Sequence, residues 1–146
     1  MVAIPGVRRA GLSAARGNLA VQLPLMALEF PEIANSHHGT INVELAVPLI
    51  VVAPDHRTQP IHWNDDMFPN GEIFDLLRIQ FEAPPDVAPV TAWLYIPHES
   101  PHRRTPYIHE VIGPELNIPV DVQCIIKINR NMVHLPYSLF PAVVVI

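Results

Sequence analysis

The chain of 146 residues has the size of one domain, and 49% hydrophobic against 16% charged residues excludes a disordered polymer. A net charge of −5 excludes nucleic-acid binding driven by bulk positive charge, and the single cysteine, Cys124, excludes an internal disulfide and a multi-thiolate zinc site. Seventeen prolines against six glycines argue for short strands joined by rigid turns.

In chain order, residues 1–18 carry Arg8, Arg9 and Arg16 without an apolar run of signal-peptide length. Leu19 to Leu23 reads as a short strand. Leu25 to Phe30 reads as the one short helix, with Pro24 in its first turn and Pro31 as its stop. Ile41 to Leu45 and Leu49 to Ala53 are strand candidates, and Pro54 to Gly71 is a loop long enough to be functional or mobile. Leu77, Ile79 and Phe81 alternate with Arg78, Gln80 and Glu82, which predicts a strand with one buried face. Val90 to Ile96 alternates with Thr91, Trp93 and Tyr95, which predicts a strand covered on both faces. A second loop, Pro97 to Pro106, precedes strand candidates at Tyr107 to Ile112 and Val120 to Ile128. Ala142 to Ile146 is a strand candidate, and the apolar end from Ser138 to Ile146 is either a last barrel strand or a contact between subunits of a homo-oligomer.

With no repeat and no linker, residues 1–146 form a single mainly β domain, a closed six- to seven-stranded barrel with one short helix. The longest apolar runs, Leu45 to Ala53 and Leu139 to Ile146, are too short to cross a bilayer. A cytoplasmic protein with no membrane and no nucleic-acid partner is the expectation.

Eight histidines invite a metal reading. His98 and His102 have helical ligand spacing, yet Pro97, Pro101 and Pro106 oppose a helix there. His62 with Asp65 and Asp66 offers an imidazole–carboxylate set, or simply a solvated loop. Cys124, in an apolar strand row, reads as packing. The absence of a G-x-x-x-x-G-K-[ST] segment excludes a P-loop. More specific is Gly39-Thr40-Ile41-Asn42, a glycine turn feeding a strand. Thr40 and Asn42 point to the same side, and two neutral oxygen donors can hold a hard cation such as Mg²⁺. Alternatively, both side chains fix the local backbone. As a ligand-facing residue, Asn42 is expected to be partly exposed.

The order of these segments resembles the archaeal CTP-dependent riboflavin kinases. Gly39-Thr40-Ile41-Asn42 matches the family's G-T-L-N with one conservative change, and Glu110-Val111-Ile112-Gly113-Pro114 resembles its E-I-I-A-P. Leu116-Asn117-Ile118 with Asp121 resembles the turn into its last strand, so the likeness runs from Gly6 to Ile128. The chain departs from the pattern at Gly11 to Gly17 (GLSAARG), where the family has G-x-G-E-G, and at His38, where it has proline. The resemblance implies a cradle-loop barrel that transfers a phosphoryl group from CTP to the 5′-hydroxyl of riboflavin, giving FMN and CDP. It implies Mg²⁺ on Thr40 and Asn42 and a nucleotide near Gly11, Arg16 and Gly17, with Arg8, Arg9 and Arg16 compensating triphosphate charge. Glu110, by position and chemistry, is the candidate for orienting or deprotonating the hydroxyl, or else a strand-end acid bonded to a loop. Trp63, Trp93 and Tyr95 are candidates for stacking on a flavin, the last two also for packing in the barrel wall. The altered glycine segment keeps a second reading open: a non-catalytic barrel of the same descent, acting as a ligand-binding or assembly module.

Overall fold

Val2, Ile4 and Gly6 face inward in alternation with Ala3, Pro5 and Val7, and this period of two makes the N-terminus a strand, β1 (Val2–Arg9). Sequence reading had not separated it, because Pro5 interrupts the pattern. The computed structural model describes residues 1–11, 14–99, 105–136 and 144–145, without the side chains of 14–16 and 144–145. The other strands are β2 (Ile41–Leu45), β3 (Ile50–Val51), β4 (His56–Arg57), β5 (Phe74–Ala83), β6 (Val87–Pro97), β7 (Ile108–Ile112), β8 (Gln123–Ile128), β9 (Val133–His134) and β10 (Val144–Val145). Six of them close into an antiparallel barrel in the order β1-β2-β7-β6-β5-β8 and back to β1. The expected mainly β closed barrel is therefore the fold. β10 pairs with Val2 and Ala3, β4 pairs with the start of β5, and β3 with β9 forms a separate ribbon.

The barrel is filled by inward residues of every strand, among them Ile4, Val43, Phe81, Leu94 and Ile126, each fully buried. Burying a side chain of this size stabilises the fold by about 1.5–3 kcal/mol. Cys124 belongs to this interior, where burial pushes its thiol up to about 11, so it packs rather than reacts.

One α-helix, α1 (Ala14–Glu29), lies outside the barrel, and it corrects the expectation of a strand at Leu19 to Leu23 followed by a helix beginning at Pro24. Leu19, Leu23 and Met26 sit at helical spacing and are all buried, whereas Val21, on the same face in a strand, is 51% exposed. Pro24 lies inside the helix, where it costs about 3 kcal/mol through a lost hydrogen bond and a clash with the preceding turn. Packing offsets that cost. Leu19, Leu23 and Met26 press against Phe74, Leu76, Trp93, Tyr95 and Ile112 on the outer face of β5, β6 and β7.

The segment from Pro54 to Gly71 is held at many points rather than loose. Arg57 pairs with Asp75, Ile61 bridges Glu72, and Trp63 lies against Phe68. The strand expected from Val120 begins at Gln123, since residues 120–121 form a turn and Asp121 takes a left-handed φ of 70°. No helix of the described residues is long and apolar enough to cross a membrane.

Candidate functional site

The strand registers bring distant residues into one row on the outer face of the barrel. Arg9 stands opposite Asn42, Asn42 opposite Glu110, Glu110 opposite Tyr95, and Tyr95 opposite Leu76. The period of two requires this face once Val43 and Val111 point inward. Thr40 is fixed just before β2 because the His37 N–H donates to the carbonyl of Gly113 at 2.7 Å, tying the preceding turn to the end of β7. Its hydroxyl then donates to Glu110 Oε1 at 3.3 Å.

Asn42 is only 3% exposed, which overturns the expectation of partial exposure. Among the described residues its Oδ1 is buried without a hydrogen-bond partner, a costly state for an amide oxygen. The chain that closes over it is Gly11: a Cβ there would stand 1.9 Å from Asn42 Nδ2. Only a residue lacking a side chain lets the backbone come this close. Thus Gly11, Thr40, Asn42 and Glu110, separated by up to a hundred residues in sequence, converge beside the start of α1.

This donor set fits a hard cation. Among the described residues no three His, Cys, Asp or Glu side chains converge as a metal set, so the histidine readings gain no support. The Asn42 oxygen and the Thr40 hydroxyl are neutral oxygen donors of the kind that Mg²⁺ accepts alongside water, and the Glu110 carboxylate stands beside them. His62 bonds Asp65 at 3.0 Å on the exposed surface, and His102 lies outside the described residues.

The other expected nucleotide contacts are dispersed. Gly17 lies in the first turns of α1 with open space around it, and the side chain of Arg16 lies outside the described residues. Arg9 is engaged by Asp121 at 2.7 Å and by Glu44 at 3.5 Å. Arg8 has a buried Nε without a partner.

Next to Glu110 a cavity of about 570 Å³ opens at the end of the barrel where β5 begins and β6 ends. Its size falls among small-molecule sites, roughly 300–1,000 Å³. Of the polar groups at or behind its wall, the sequence had singled out Glu110, Tyr95 and His98 but not Gln22, Glu72 or Asp75. The Tyr95 hydroxyl donates to the buried Gln22 of α1, and burial, with Glu110 and Glu72 nearby, raises the phenol above its ordinary value so that it stays a donor. Asp75 accepts from Arg57 Nε at 2.8 Å and Nη2 at 2.9 Å, and from His98 Nε2 at 2.9 Å. Burial opposes the charge on Asp75, but the hydrogen bonds from Arg57 and His98 prevail and hold the carboxyl below its ordinary value. Burial holds the neighbouring Glu72 above its ordinary value, although it accepts from Trp63 Nε1 at 3.0 Å and from the Glu99 N–H at 3.2 Å. The one sequence signal for these groups was their place: Gln22 and Asp75 each interrupt an apolar run, and Glu72 stands at the start of one.

The depressed carboxyl of Asp75 sets a pH dependence. Its folded-state value lies below 3.8, so its contribution to stability is complete above that pH and is lost as pH falls through the folded-state value. Asp75→Asn is expected to melt several degrees lower at pH 7, with the gap to the native chain narrowing below about pH 3.8, as thermal melts across pH will show. A gap independent of pH would mean that the charge of Asp75 contributes nothing.

Comparison with known proteins adds no name to this geometry: no family model matches the chain, and no curated protein does.

Proposed function

We propose that the chain is a cytoplasmic CTP-dependent riboflavin kinase, or a close relative of one, with its site on the outer face of the barrel between β2, β7 and α1. The observation that carries this reading is the buried Oδ1 of Asn42, unpartnered among the described residues, with Gly11 against the nitrogen of the same amide and the Thr40–Glu110 bond beside it. Two of the short sequence matches, Gly39-Thr40-Ile41-Asn42 and the one that begins at Glu110, lie side by side across the β2–β7 ladder, which supports this reading. A cation held by Thr40 and Asn42 would neutralise charge on the phosphate oxygens. α1 begins three residues beyond Gly11, and a helix start of this kind favours phosphate nearby, which supports the nucleotide reading.

In this reading the 5′-oxygen of riboflavin attacks the γ-phosphorus of CTP. A new O–P bond forms, the bond from that phosphorus to the bridging oxygen breaks, and CDP leaves with the electron pair. The proton of the hydroxyl passes to the carboxylate of Glu110. The protein's work is positioning and charge compensation.

Calorimetric titration with CTP tests the nucleotide half of this reading. The native chain is expected to bind CTP only when Mg²⁺ is present, and Asn42→Ala to bind it at least about tenfold more weakly. Because the Asn42 oxygen has no partner among the described residues, its loss should leave the melting midpoint almost unchanged. A large fall in stability with unaltered CTP affinity would make Asn42 a turn-fixing residue.

A further inference from the structure

The cavity beside Glu110 has walls of Leu49, Val51, Ile96 and Pro106, and its polar groups are Asp75, Tyr95, His98, Thr105, His109 and Glu110, two of which stand well apart along β6. One is Glu110, which stands opposite Tyr95 across the β6–β7 ladder. The other is His98, three residues beyond Tyr95, whose backbone N–H continues the ladder to the carbonyl of Ile73. At a strand rise of roughly 3.3 Å per residue the two lie about 10 Å apart along β6.

His98 is held rather than mobile. Asp75, clamped by two bonds from Arg57, takes the Nε2 hydrogen of the imidazole at 2.9 Å. A carboxylate that only accepts fixes a hydrogen on Nε2, so that in the neutral ring Nδ1 is the acceptor. Nδ1 is then the nitrogen left over, with no hydrogen bond to any described residue, and the ring lines the cavity. A fixed acceptor at the far end of an apolar slot recognises a ligand that carries an N–H at its own far end.

Riboflavin has this shape. Its phosphoryl-accepting hydroxyl ends the ribityl chain, the tricyclic ring is apolar at its benzenoid edge, and the imide N–H lies on the opposite, pyrimidine edge at a distance of the same order. Resting on the riboflavin kinase reading, we infer that His98 is the residue that selects the flavin: with the ribityl hydroxyl at Glu110, the imide N–H of the ring donates to His98 Nδ1, and Asp75 with Arg57 positions the imidazole.

The test compares riboflavin with 3-methylriboflavin, which lacks the imide N–H, by quenching of flavin fluorescence on the full chain with Mg²⁺ and CDP present. The native chain is expected to bind riboflavin about tenfold more tightly than the methylated analogue, the discrimination of one hydrogen bond. His98→Leu should bring that ratio close to one while FMN formation from riboflavin persists at reduced affinity. A native chain that binds both flavins equally, or a ratio unchanged in His98→Leu, overturns the inference. So does a His98→Leu chain that loses affinity for CTP and not for riboflavin, which would place the nucleotide in this cavity. If His98→Leu does not fold, His98→Phe and the native ratio decide. FMN formation with no discrimination sinks this inference alone; no flavin binding and no FMN sink the kinase reading with it.

Discussion

Glu110→Gln is expected to lower the turnover of FMN formation by about 10²–10⁴-fold while changing the KM for riboflavin little. The amide keeps an oxygen that can accept from the Thr40 hydroxyl, so the local geometry survives; what is lost is the capacity to take a proton. Steady-state kinetics at saturating CTP and Mg²⁺ separate the two parameters. Turnover equal to that of the native enzyme would leave Glu110 as a strand-end acid that orders Thr40 and nothing more.

Gly11→Ala should damage both stability and binding. Its Cβ would stand 1.9 Å from Asn42 Nδ2 and 3.1 Å from Asn42 Cγ, so either the chain at Gly11 or the amide must move. Overpacking of this kind costs about 1–3 kcal/mol, which in a domain of this size lowers the melting midpoint by roughly 3–10 °C. Displacing the amide should also cut Mg²⁺-dependent CTP affinity by about tenfold or more. The pair is diagnostic: Gly11→Ala combined with Asn42→Ala should melt higher than Gly11→Ala alone, since the second change removes the atoms that the first one meets. Additive losses would show that the two residues do not press on each other.

The barrel was legible because its strands carry the period of two without interruption at Leu77 to Phe81 and at Val90 to Ile96, and both became central strands. Where proline broke the pattern, at Pro5 in β1 and Pro24 in α1, local preference pointed away from the observed element and tertiary burial decided. Leu19 to Leu23 fits both periods; only the barrel face it covers, Phe74 to Leu76 and Trp93, distinguishes helix from strand. The Thr40–Asn42 pair could be read from its spacing, and Glu110 from its place after the proline-rich loop. That Glu110 stands directly opposite Asn42 is a fact of register that no local signal carries. The role of Gly11 was also hidden, since its meaning lies in the side chain of a residue thirty-one positions later. His98 is the sharpest case: the sequence pairs it with His102 by spacing, whereas its partner in the fold, Asp75, lies on another strand.

Purified chain incubated with riboflavin and Mg²⁺, with CTP or ATP added separately and the flavins resolved by chromatography, tests the central claim most directly. The account predicts FMN with CTP, and its loss in Asn42→Ala under the same conditions. No FMN with either nucleotide, from protein whose melting transition shows it to be folded, would contradict the kinase reading and leave the barrel as a binding or assembly module.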